Sequence, residues 1–90
     1  MLRSRRDTEF TEFVAARMSV LRRIAYLLCQ DWHRADDLVQ VASTKLYANW
    51  HRASAMDHTE AYVRTILVRE VPQRMAVWLG APGQPRRHRA

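Results

Sequence analysis

Four histidines, one cysteine and nine acidic residues are the side chains through which this 90-residue chain could do acid–base, nucleophilic or metal chemistry. Their spacing favours none of these. His33, His51, His58 and His88 are scattered over predicted helix starts, a loop and a tail, with no His-Glu-x-x-His helix and no paired cysteines. Cys29 and His33 are four apart, but Asp31 between them is a helix-starting residue. Cys29 sits in an apolar stretch, where a small buried hydrophobe is the ordinary role. Asp36 and Asp37 are adjacent, so on a helix they point in different directions and do not form a carboxylate pair. There is no glycine-rich phosphate loop. The expectation is a protein that is not an enzyme, with no metal, cofactor or small-molecule substrate.

Binding chemistry is better represented. The chain carries 15 Lys and Arg against 9 Asp and Glu, for a net charge of +6. The excess lies in two tails, Arg3, Arg5 and Arg6 at one end and Arg86, Arg87 and Arg89 at the other. Between residues 7 and 85 the charges balance. Basic tails attract nucleic acid or any acidic surface without selecting one. No signal peptide or membrane span is legible, because Arg22 and Arg23 interrupt the longest apolar stretch. The expected location is the cytoplasm.

The elements that must position these residues read as helices. Four of the five Gly and Pro residues fall between 80 and 85, leaving the body without turn punctuation. Phe10, Phe13, Val14, Met18, Leu21, Ile24, Ala25 and Leu28 recur at three- and four-residue steps and predict a helix over 8–28. Asp31 is a good N-cap for a second helix reaching about residue 50, with Ala35, Leu38, Val39, Ala42, Leu46 and Trp50 inward. The short link between the two predicts an antiparallel hairpin. Residues 51–58 read as a loop, with Asp57 and Glu60 spaced as a capping box for a third helix through Tyr62, Val63, Ile66, Leu67 and Val71. Pro72 should end or kink that helix, residues 73–79 should resume it, and Gly80 should stop it. The predicted fold is an all-α bundle of three to four helices over 1–80, followed by a disordered basic tail over 81–90.

One ordered set of short motifs goes further. Asp37-Leu38-Val39-Gln40 is followed by Leu46-Tyr47 and Trp50, and the third helix opens with Ala61-Tyr62-Val63-Arg64. The first helix carries Phe10-x-x-Phe13-Val14 and Leu21-Arg22-Arg23-Ile24-Ala25. In order and spacing this resembles region 2 of RNA polymerase sigma factors, specifically the extracytoplasmic-function group in its high-GC actinobacterial branch, from about residue 10 to 68. The resemblance implies a second helix that docks on the clamp helices of the largest subunit of core RNA polymerase. The matching positions are Asp37, Gln40, Val41 and Thr44. An Asp and a Gln on a helix are ordinarily just solvated, and the motif around them is what assigns the docking role. Many relatives carry Glu where this chain has Val41, which removes a charge from that surface.

The resemblance also implies that the loop and third helix hold the −10 promoter element as a single strand with a flipped base. That task needs cations for phosphate and flat surfaces for bases. The candidates are Arg52, His58, Tyr62, Arg64, Arg69 and Arg74. Tyr62 suits core packing as well as base stacking, and Arg64 and Arg69 are five apart and do not share a strip. Where the family continues into an Arg-rich segment, this chain has Glu70-Val71-Pro72 and then the apolar 75–79 stretch. No stretch after residue 80 matches the family's second, −35-reading domain, so the expectation is a one-domain or partner-dependent factor. The alternative is an interaction module that keeps the fold and binds an anti-sigma factor, another sigma factor or a regulator through Met75, Trp78 and Leu79. A third reading is a generic basic helical binder of nucleic acid, held by its tails.

Overall fold

In the computed structural model, which describes residues 4–80, the hairpin is set by what happens at Gln30 and Asp31. Helix α1 (Arg5–Cys29) ends where Gln30 turns left-handed at φ 60°, its N–H returning to the Tyr26 carbonyl. Asp31 is extended, and its carboxylate accepts the Arg34 N–H at 3.0 Å, which starts α2 (Trp32–Ala48). The chain reverses within two residues, so α1 and α2 run antiparallel as expected. The helix α1 begins earlier than its apolar stripe, because Ser4 accepts the Asp7 N–H at 3.0 Å and supplies the cap.

Asn49 ends α2, and Trp50 opens a single helical turn, α3 (Trp50–Ala53). The expected loop over 51–58 therefore starts inside a helix. Buried Trp50 and Ala53 anchor it, and Phe10 and Phe13 pack against the Trp50 ring at 5.6 and 5.3 Å. The Thr59 hydroxyl closes the remaining loop by donating to the carbonyls of Ala53 and Met56.

The fourth helix, α4 (Thr59–Leu79), corrects two expectations. The Asp57–Glu60 capping box does not form: His58 is the N-cap residue without a side-chain bond, and Glu60 is spent on Arg17 and Arg64. Pro72 does not end the helix, which runs unbroken to Gly80, left-handed at φ 58°. Pro72 removes the donor for the Val68 carbonyl, but both residues lie on the exposed face, where water can satisfy that oxygen. Contacts to α2 on either side of Pro72, from Glu70 and from Arg74 and Trp78, hold both halves against the bundle.

The four helices share one core. Leu38, Leu46, Val63 and Leu67 are its largest fully buried side chains, joined by Leu21, Ala25, Val39 and Ile66. Met18 and Leu28, expected inside, sit at the margin and are exposed. No strand occurs among the described residues, and the all-α bundle stands. The basic tail expected over 81–90 lies outside the described residues. Among the described residues, no helix is long and apolar enough to cross a membrane.

Two outcomes follow for stability. Leu67→Ala should cost about 2–5 kcal/mol in urea denaturation, the range for a buried leucine that leaves a cavity. The Asp31 carboxyl is held below its ordinary value of 3.8, first by the Arg34 N–H it accepts. A lowered folded value means its contribution is present above that pH and lost as pH falls through the folded value. Asp31→Asn keeps an acceptor at the cap without the charge, so it should be less stable than the wild type at pH 7, and the difference should shrink on acidification toward pH 3.

Candidate interaction face

With its apolar side buried, α2 presents two adjacent rows outward, Asp36-Gln40-Thr44 beside α1 and Asp37-Val41-Lys45 beside α4. Both follow from the four-residue helical step. In the first row Asp36 is paired with Arg22 at 2.7 Å. Gln40 and Thr44 are exposed, and the Thr44 hydroxyl donates to the Gln40 carbonyl at 3.0 Å. This row rims an open groove of about 700 Å³ between α1 and α2, with Phe10, Val14, Met18 and Val39 along it. Tyr47 closes one end: its hydroxyl donates to Asp7, and its carbonyl accepts Arg6 at 2.8 Å. The Asp7 bond pushes the Tyr47 phenol above its ordinary value of 10.0.

The second row is engaged with α4. One Asp37 oxygen, Oδ2, accepts Arg74 Nε at 3.1 Å and Trp78 Nε1 at 2.9 Å, and lies 2.9 Å from a second Arg74 nitrogen. The Arg34 guanidinium stands 5.3 Å from the Trp78 ring centre. Lys45 meets Glu70 at 2.9 Å, and the Glu70 side chain is only 10% exposed. Val41 lies half-buried between the two ion pairs. The four docking positions thus fall into an exposed pair, Gln40 and Thr44, and a partly occupied pair, Asp37 and Val41.

The candidate nucleic-acid residues do not form a single patch. His58 and Arg64 line one open pocket of about 560 Å³ with Phe13, Arg17, Asp57 and Glu60. Arg17 reaches Glu60 at 3.4 Å and stacks its guanidinium 4.2 Å from the Phe13 ring centre. No sequence motif marks Arg17, and the four-residue Phe13–Arg17 spacing is its only local signal. Tyr62 is half-buried and packs against the core. Arg52 and Arg69 are exposed, and no ion pair to a described residue ties down either one. Arg74 is turned away to Asp37. Of the apolar partner-binding candidates, Met75 and Trp78 are half-buried, while Leu79 stays 60% exposed. Cys29 donates its thiol hydrogen to the Ala25 carbonyl, a structural role. No group of three or more metal-ligating side chains gathers among the described residues.

What this arrangement can do is bind along an elongated helical face, using amide, hydroxyl and carboxylate groups beside an apolar groove, with exposed cations at the start of α4. A family model described as Sigma-70 region 2 matches residues 13–75, from the middle of α1 to beyond Pro72. No individual curated protein and no solved structure matches the chain.

The Lys45–Glu70 pair gives a direct test of how α4 is held. Lys45→Met leaves a nearly buried carboxylate without its cation and should cost about 1–2 kcal/mol, discounted for the half-exposed lysine. Adding Glu70→Met should restore most of that loss in the same denaturation assay.

Proposed function

Because the chain belongs to the Sigma-70 region 2 family, we propose that it is a sigma-type transcription protein of the extracytoplasmic-function group that docks on core RNA polymerase through the outer face of α2. The reading makes it a binding protein of the cytoplasm, without catalysis or cofactor. Gln40 and Thr44 meet the clamp helices of the largest subunit with hydrogen-bonding groups, and Asp37 meets a basic side chain. The observation that carries this is the coincidence of the Asp37–Gln40 motif with an exposed polar row beside an open groove of about 700 Å³. A partner helix presents side chains at the spacing such a groove accepts.

Promoter DNA is the second ligand in this proposal. Arg52, Arg64 and Arg69 supply exposed cations from α3 to the middle of α4, with His58 exposed beside them, where a single strand would run past the half-buried Tyr62. Arg74 contributes only if it leaves Asp37. The alternative of a module that binds through Met75, Trp78 and Leu79 has less support, because Trp78 is spent within the molecule.

Affinity for purified core polymerase tests the docking, with transcription from a melted −10 template scored alongside. Asp37→Ala combined with Gln40→Ala should weaken core binding about tenfold, as for truncating two groups near the centre of an interface. Wild-type protein that fails to bind core, or a double variant that binds equally well, would end this reading.

A further inference from the structure

The Asp37 carboxylate has two claims on it, one from inside the molecule and one from outside. We propose that the α4 segment after Pro72 is an intramolecular competitor for polymerase: Arg74 and Trp78 occupy the Asp37 oxygen that docking needs, and docking displaces them. This rests on the docking role of Asp37 proposed above.

Three observations carry it. First, both acceptor directions of Oδ2 are used, by Arg74 at 3.1 and 2.9 Å and by Trp78 at 2.9 Å. An incoming cation therefore meets a neutralised pair in place of a free anion. Second, the occupying segment is separable from the rest of α4. Pro72 leaves one backbone bond of the helix unmade at its root, and Val77 and Leu79 are each 60% exposed. Of the apolar side chains after Pro72, Trp78 packs against the core, while Met75 and Ala76 are only half-buried. Third, the Asp37–Arg74 pair is partly exposed, with side chains 37% and 24% accessible, so a partner can reach it and exchange is cheap.

Displacement has a second effect. Arg74 leaves an ion pair and becomes a free cation on the helix that carries Arg64 and Arg69. The same step that gives Asp37 to a protein partner makes Arg74 available to an anionic one. By linkage, an anion bound at Arg74 must favour docking to the same degree.

The test uses the full chain and two readouts. The indole N–H resonance of Trp78 should shift in Asp37→Ala relative to wild type, which reports the internal contact without any polymerase. Against purified core, Arg74→Met with Trp78→Phe should bind about three- to tenfold tighter than wild type, since one exposed ion pair and one hydrogen bond no longer compete. Phenylalanine keeps the ring that packs on the core, and circular dichroism checks the fold. An unmoved Trp78 resonance overturns the proposal whatever polymerase does. Equal or weaker core binding by the Arg74/Trp78 variant, with Asp37→Ala still impaired, overturns the competition and leaves the docking reading standing. Full core affinity in Asp37→Ala overturns the docking role of Asp37 and the competition with it.

Discussion

Helix α2 is packed from two sides at once, by α1 and by α4, and most of the molecule follows from that constraint. Leu38 and Leu46 are fully buried, and Ala35 and Ala42 on the same face keep the surface small enough for close approach. Burying each leucine contributes about 1.5–3 kcal/mol relative to leaving it exposed. With its buried side consumed, α2 offers a partner its polar strip, flanked by exposed Trp32 and Tyr47 near its two ends. That strip is held rigidly because its two edges are tied to different helices, Asp36 to α1 through Arg22 and Asp37 and Lys45 to α4.

The same packing explains why a helix with exposed apolar residues on several sides is stable. Val68, Val77 and Leu79 of α4 face outward, and periodicity alone would not orient it. Val63, Ile66 and Leu67 fix its first half on the core, and Trp78 packing together with the polar contacts to Asp37 fixes its second half. The second half is therefore held in part by groups that water or a partner can compete for.

Local signals were enough for much of this. The Asp31 cap and the Gly80 stop each depend on a few neighbouring residues, and the structure has them where the sequence places them; the apolar stripe of α1 holds except at exposed Met18 and Leu28. Pro72 does not end the helix, because its cost depends on which way the Val68 carbonyl faces and on what anchors residues 73–79, and both are tertiary facts. The Asp57–Glu60 box fails for a related reason: Arg17, more than forty residues away, offers Glu60 a better partner than a backbone N–H. The motif Asp37-Leu38-Val39-Gln40 identified the family, but nothing local to it reveals that Arg74 and Trp78 close on Asp37. A one-dimensional pattern records which residues a family keeps at a place; it does not record which of them are already engaged.

The groove between α1 and α2 is clasped at both ends. At one end Gln30 and Asp31 form a two-residue joint whose left-handed turn permits little sliding of one helix on the other. At the far end Arg6 and Asp7 grip Tyr47, and Phe10 packs edge-on to its ring at 5.0 Å. A cleft fixed at both extremities keeps its width without a ligand. The ordering entropy that a flexible surface would surrender on association was already surrendered when the hairpin folded. This matters because the margin between transient encounter and a lasting complex is set by such preorganisation more than by contact area.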